Sequence, residues 1–407
     1  MDPMITEEST TMEGKRKSCL MSVLALLVGA ALFFALGEVF SRVLKLDQRA
    51  RLVMINPEGI LDFKGLHQVS PDPGRVYGLR PGARLELDSG SRHAVYSINS
   101  LGLRDDELPE EEPDGVFRIL VLGDSMTFGP AVNLEDTYPK VLERRLNEEA
   151  GDKVSFRVIN GAVSGYNSFQ ELATWRAMGP ILDPDLVIVA FCFNDVDDPR
   201  RHVDAHTLET LGALPDAMIP SLEGAAGEEV TPTVVPPASA EEIKGRLPIP
   251  FKGLLREHSA FYRFLVRRYD ALLKSVGVRD PIQGELRSQY EEMDAKLSSY
   301  DTAEWQWLSR QWAGFQSLSD ESGVPWVLVL MPWQYQLQRD EAALPEVLVE
   351  AYAQEHGLFY VDPRPALSGG DVSRLYIDMA HFSEDGHRLT GEALSEALRE
   401  SGLLHSP

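Results

Sequence analysis

Cysteine is nearly absent from the 407 residues: there are two, Cys19 and Cys192. One stands in an apolar N-terminal run and the other in an apolar strand-like run, so neither a disulfide framework nor a thiolate metal site is implied. The redox compartment stays open, because a chain that needs no disulfide works on either side of a bacterial-type membrane. Basic residues are also scarce: 39 Lys and Arg against 63 Asp and Glu leave a formal charge of -24 at pH 7. That balance argues against a nucleic-acid partner, since neutralising phosphates takes clustered Lys and Arg and only short basic patches occur. The acidic excess favours solubility and names no partner. There is no internal repeat.

One long apolar run is present. "SCLMSVLALLVGAALFFALG", Ser18 to Gly37, carries no ionisable side chain except the thiol. As a helix it would be about 30 Å long, the thickness of a bilayer core. Apolar residues run all round it and form no single stripe, which predicts a transmembrane helix over 18–40, after an N-terminal tail of 1–17. A cleaved signal peptide is the alternative, with Lys15, Arg16 and Lys17 as its basic start and Ala35-Leu36-Gly37 as small residues near its end. The length of the run favours an uncleaved anchor. A lipoprotein is disfavoured, because the apolar run follows Cys19 where a lipobox would precede it. Lys15, Arg16 and Lys17 face Arg42, Lys45, Arg49 and Arg51 across the segment, so the positive charges leave its orientation tied.

Residues 41–115 are rich in Gly, Pro and charge and read as a juxtamembrane stalk with a small β element. A hairpin is expected where "ARLEL" and "HAVYSIN" flank the turn "DSGS". From residue 116 the periodicity changes. "FRILVLG", "KVSFRVIN", "DLVIVAFCF" and "VPWVLVLM" are short β-rich runs, and helical patterns such as Tyr138 to Glu149 and Thr302 to Asp320 lie between them or lead into them. Apolar strands alternating with helices predict an α/β fold with a parallel sheet covered on both faces. Two halves, 116–202 and 302–407, are separated by an insertion over 203–301. Its first part, "ALPDAMIPSLEGAAGEEVTPTVVPPASAEE", reads as loop; its second, "LLREHSAFYRFLVRRYDALLK", has helical spacing.

Ligands of open α/β sheets bind beyond the carboxyl ends of the strands, so polar residues just past several strand ends belong together. Four such blocks occur: Gly123-Asp124-Ser125, "NGAVSGYN" from Asn160 to Asn167, Asn194-Asp195, and "YIDMAHFSEDGH" from Tyr376 to His387. A serine hydroxyl becomes a nucleophile only when a base removes its proton and a third group steadies that base. Asp378 and His381, three residues apart, suit those two parts. A tetrahedral intermediate also needs donors for its oxyanion, and Gly165, the Asn194 amide and the Ser125 N–H are candidates.

Each residue also has a plainer reading. Ser125 could merely cap the helix after its strand, Gly165 could be a loop glycine and Asn194 a turn residue. His387 also lies in the last block, but only His381 has the Asp-x-x-His spacing, and His387 falls where the last helix has begun. The acidic and His-bearing run Asp195 to His206 matches no metal-ligand spacing and reads as a charged loop. Trp305, Trp307 and Trp312 share a helical stretch and read as core, with an acyl or sugar pocket as the alternative.

The four blocks in this order resemble the SGNH hydrolases, also called the GDSL esterase/lipase family, over about Val116 to Asp198 and Thr302 to Glu400. The resemblance implies a three-layer α/β/α flavodoxin-like fold, with Ser125 as nucleophile, His381 and Asp378 completing a catalytic triad, and Ser125, Gly165 and Asn194 forming the oxyanion hole. Gly161 competes for the oxyanion role, but the match favours Gly165. The expected activity is that of a membrane-anchored serine ester hydrolase acting through an acyl-enzyme, with no cofactor and no metal. Its substrate would be an ester-bearing lipid or acylated glycan, and its catalytic domain would lie outside the cytoplasm on a single-pass anchor. An O-acyltransferase modifying a cell-surface polysaccharide needs the same triad, and a non-catalytic scaffold or glycan-binding module on the same fold is the further alternative. Two departures stand out. The first block reads GDSM, and the family's Gly-x-Asn-Asp appears as Cys192-Phe193-Asn194-Asp195, without its glycine.

Overall fold

The computed structural model describes residues 66–196 and 290–404, with short gaps at 89–91, 110–112, 114, 152–153, 340–343 and 370, together with 32–43 and scattered residues near 21–29 and 259–268. The chain divides into two compact units, 1–51 with 231–284 and 52–230 with 285–407. In the first, a helix covers 32–43, and Glu38 accepts hydrogen bonds from Ser259 Oγ and the Phe261 N–H at 2.7 and 3.0 Å. Phe33 and Phe34 meet the Phe261 ring edge to face, while Leu36, Val39 and Phe40 are exposed. Among the described residues no helix is long and apolar enough to cross a membrane. Part of the expected span 18–40 and most of the insertion 203–301 lie outside them.

The second unit is built on a five-stranded sheet. Its strands are β5 (Val116–Gly123), β6 (Ser155–Asn160), β7 (Leu186–Phe191), β8 (Trp326–Leu330) and β9 (Phe359–Val361). Spatially they run β6-β5-β7-β8-β9, and every neighbouring pair is parallel. Counted within the sheet this is the order 2-1-3-4-5 of flavodoxin-like folds. Alternate side chains of β7 feed two cores. Val187, Val189 and Phe191 join residues of α3 (Ser168–Leu182), α4 (Ala303–Ser322) and α5 (Leu344–Glu355). Leu186, Ile188 and Ala190 join α2 (Tyr138–Ala150) and α6 (Glu384–Ser401) on the other face. The result is the expected three-layer α/β/α arrangement, and the double covering explains why these strands are apolar throughout. Trp305, Trp307 and Trp312 are buried in the first of these cores. The fifth strand, three residues long, is too short to carry a periodic signal of its own.

The expected hairpin is present as β3 (Arg84–Asp88) and β4 (His93–Ser97), with Leu85 opposite Tyr96. A second hairpin, β1 (His67–Val69) with β2 (Tyr77–Leu79), was not expected. Residues 66–109 do not form a stalk. Val76, Tyr77, Leu79, Tyr96 and Ile98 share a core with Phe128, Ala162, Val163 and Tyr166, which belong to the loops beyond β5 and β6. Turn residues dominate this segment's composition, and the few large side chains that bury themselves pack on one another and on loops far along the chain.

These hairpins hold the sheet's carboxyl edge. Arg104, fully buried between the Tyr96 and Phe128 rings, donates to the carbonyls of Phe128, Gly129 and Val132. Asp105 accepts from the Asn160 N–H at 2.7 Å and meets Lys140 Nζ at 2.6 Å. The turns after β5 and β6 are thereby pinned by a segment that precedes both in the chain.

Candidate active site

β5 ends in a tight strand-to-helix turn. A Cβ at Gly123 would overlap Thr127, so glycine lets α1 (Ser125–Phe128) start immediately. Asp124 caps that turn through Oδ1, which accepts the Met126 N–H at 2.8 Å. Met126, where the family name has leucine, is buried behind the turn in the sheet's second core. Ser125 is thus the first helical residue but not the cap; its side chain is left for other partners.

His381 supplies one. Its Nε2 lies 2.8 Å from Ser125 Oγ, although 256 residues separate the two. Its Nδ1 lies 2.8 Å from Asp378 Oδ2. The carboxylate accepts Nδ1–H, which leaves Nε2 as the acceptor for the serine proton. Asp378 Oδ1 also takes the backbone N–H groups of Ala380 and His381, both at 2.9 Å. Asp-x-x-His spacing therefore closes a turn in which one carboxylate fixes both the backbone and the ring. Tyr376 Oη donates to the Pro332 carbonyl at 2.6 Å, and the Gln334 N–H to Met379 O at 3.1 Å. These bonds tie the loop to the end of β8.

Charge follows geometry. Burial alone would lower the proton affinity of His381, but the charge and hydrogen bond of Asp378, with Asp124 nearby, outweigh it and hold it above the ordinary histidine value. For Asp378 burial pushes upward, and the His381 contacts overcome that to bring it down to about 2. The second histidine of the block behaves differently. His387 is buried, its Nδ1 accepts the Tyr138 N–H at 3.2 Å, and burial, with Arg104 and His381 nearby, lowers its pKa to about 3. It is a neutral brace between α6 and α2.

The oxyanion candidates come from two further strand ends. Gly165 follows β6 with φ of 78°, a left-handed conformation natural to glycine. Among the described residues its N–H is given to no acceptor, whereas the N–H of Gly161 is spent on the Val121 carbonyl at 2.8 Å. Asn194 sits in the turn after β7. Its Nδ2 donates to Asp124 Oδ2 at 2.7 Å, which leaves the second Nδ2 proton available. That carboxylate also lies 3.4 Å from Ser125 Oγ. In the sequence only its place immediately before the serine sets Asp124 apart, and its link to Asn194, 70 residues away, is a product of folding.

Cysteine replaces the missing glycine of the third block without opening the turn. Asp195 Oδ2 accepts the Cys192 N–H at 2.8 Å, and the Asp195 N–H returns to the Cys192 carbonyl at 2.9 Å. The Cys192 sulfur receives the Trp333 Nε1–H at 2.7 Å. Burial pushes its thiol well up, so it stays protonated and unreactive. Of the run Asp195 to His206, residues 197–206 lie outside the described residues. Among those described, no group of acidic, His and Cys side chains is arranged to hold a metal ion.

Residues 121–283 match the model of the GDSL-like Lipase/Acylhydrolase family. The matched span holds the first three blocks and stops short of the fourth. A comparison with curated proteins finds no match. Among solved structures, the psychrotrophic esterase EstA from Pseudoalteromonas sp. is 10% identical at a TM-score of 0.34, over 70% of this chain and 97% of its own. A lipase/acylhydrolase from Enterococcus faecalis is 13% identical at a TM-score of 0.34, over 70% and 96%. A GDSL-like lipase from Bacteroides thetaiotaomicron is 12% identical at a TM-score of 0.32, over 70% and 88%. The likeness to a GDSL-type hydrolase family thus extends over residues 121–283.

Proposed function

We propose that the protein is a serine ester hydrolase working through an acyl-enzyme on Ser125. The observation that carries this reading is the continuous line from Ser125 Oγ through both nitrogens of His381 to Asp378, each link 2.8 Å. His381 Nε2 takes the serine proton as Oγ bonds to the acyl carbon, and the carbonyl oxygen becomes an oxyanion facing the N–H groups of Ser125 and Gly165 and the Asn194 amide. As the ester C–O bond breaks, His381 returns that proton to the departing alcohol. Water then gives a proton to the same nitrogen as it attacks the acyl carbon; the Oγ–C bond breaks, His381 returns the proton to Ser125 Oγ, and the carboxylic acid leaves.

Ester-bearing lipids or acylated glycans are the substrate classes we assign. The apolar run 18–40 is assigned as a single-pass anchor that holds the hydrolase domain outside the cytoplasm, with 203–301 as an insertion between its halves. Support for the anchor is the absence of charge from Ser18 to Gly37. Two arginines placed within that run should release the chain from membranes, and continued sedimentation with them would refute the anchor.

The activity is tested on the purified full chain with acetyl and longer-chain nitrophenyl esters, with and without an oligosaccharide acceptor. Hydrolysis without acceptor, and fluorophosphonate labelling lost in Ser125→Ala, are expected. Exclusive transfer to the acceptor would make it an O-acyltransferase, and absence of labelling would leave a scaffold or glycan-binding module.

A further inference from the structure

Gly165 shares its peptide bond with Ser164, and that peptide is gripped from outside the matched family span. Tyr77 Oη donates to the Ser164 carbonyl at 3.1 Å, across 87 residues of sequence. Tyr166, on the other side of Gly165, donates its own phenol to the Tyr77 carbonyl. The Tyr77 and Tyr166 rings meet edge to face with centroids 5.2 Å apart, and both residues are fully buried. The same loop is tied to the nucleophile strand by the Val163 N–H, which reaches the Gly123 carbonyl at 3.2 Å.

A trans peptide points its C=O and its N–H in opposite directions, and the described chain contains no cis peptide. Whatever holds the Ser164 carbonyl therefore also aims the Gly165 N–H. We propose that Tyr77 is a positioning residue for the oxyanion hole: its phenol fixes the Ser164–Gly165 peptide by the carbonyl and turns the unspent N–H toward the substrate carbonyl oxygen that becomes the oxyanion. A donor on the carbonyl also polarises the peptide and strengthens the opposite N–H. Burial raises the Tyr77 phenol well above its ordinary pKa, so it remains a donor throughout the working range. Through this one contact Tyr77 of β2 reaches the peptide beside the oxyanion hole. The inference rests on the ester hydrolase reading above.

The test compares Tyr77→Phe, Tyr96→Phe and Ser125→Ala in the full chain. Tyr77→Phe keeps the ring and removes the donor. It should lower kcat about 10- to 100-fold, leave KM within about twofold, and slow fluorophosphonate labelling by a similar factor, since that adduct places an oxygen in the same hole. Tyr96→Phe removes a buried hydroxyl of the same segment that meets Ala131 instead, and should keep kcat within about threefold of the parent. Full activity in Tyr77→Phe, or an equal loss in both tyrosine variants, would overturn the inference while the hydrolase reading stands. Undiminished turnover in Ser125→Ala would bring down both. If Tyr77→Phe shows no cooperative melt, 3-fluorotyrosine at position 77 replaces it. Its stronger donation should quicken labelling, and an unchanged rate would overturn the inference.

Discussion

Ser125 Oγ has two acceptors within reach, His381 Nε2 at 2.8 Å and Asp124 Oδ2 at 3.4 Å, and the shorter bond points its proton toward the base. Removing that oxygen with Ser125→Ala should lower ester turnover by about 10⁴-fold or more, as read from steady-state rates. Asp378→Asn keeps the shape but loses the charge that steadies the imidazolium, and should cost about 10³- to 10⁴-fold. The base works only when neutral, so activity should climb with pH through the His381 pKa, held above its ordinary 6.5 by Asp378. In Asp378→Asn the midpoint of that limb should move to lower pH, and an unmoved midpoint would show that Asp378 does not govern the base. Asn194→Ala removes one of the proposed oxyanion donors and should cost about 10²- to 10³-fold in kcat with little change in KM.

Packing between elements is close enough to test with single methyl groups. Gly391 on α6 faces α2 so tightly that a Cβ there would stand 2.7 Å from Val141 and 2.9 Å from the Tyr138 carbonyl. Gly391→Ala should therefore force the helices apart and cost about 1–3 kcal/mol in denaturant unfolding, although alanine is the better helix former. Arg104→Met should be costlier, since three carbonyls in the turn after α1 lose their donor. Glu171 on α3 presents the opposite case. Its carboxylate is buried, neither oxygen has a hydrogen-bond partner among the described residues, and burial, with Asp124 nearby, pushes its pKa well above 4.5. Replacing it with Gln or Met should leave stability unchanged or raise it, as read by the melting temperature.

Over the whole molecule these groups set opposing pH limits on stability. Asp378, at about 2 when folded against an ordinary 3.8, contributes stability that is complete above its unfolded value and lost as pH falls through the folded one. His381 and Glu171 are raised by folding. Their contributions are complete below their unfolded values and fade as pH rises through the folded ones. Asp378→Ala should therefore flatten the acid side of a pH-stability curve, and Glu171→Gln should lift its neutral side. The pinned hairpins add a further expectation at this scale. Residues 66–88 and 92–109 should resist limited proteolysis as well as the sheet does, because Tyr77 and Tyr96 are as buried as the strands.

Four sheet strands, the long helices and the residues of the candidate site are legible in the chain because they rest on local signals: apolar runs, helical spacing, and polar residues where strands stop. Ser125, Gly165, Asn194, Asp378 and His381 can be nominated from such signals. The distances among them cannot, since they depend on how the order 2-1-3-4-5 brings the ends of β5 and β7 side by side and carries the last loop past β8. Asp124 and Tyr77 lie deeper still. A cap residue and a buried tyrosine have no distinguishing sequence mark, and each acquires its part only through a partner 70 or more positions away. The sequence by itself determined the layered α/β class and the chemical types available at the strand ends, because backbone periodicity and side-chain chemistry are written residue by residue. Only the tertiary structure decided that 66–109 is packed against the site and which donors remain unspent, because hydrogen bonds between distant segments exist only after the chain has closed on itself.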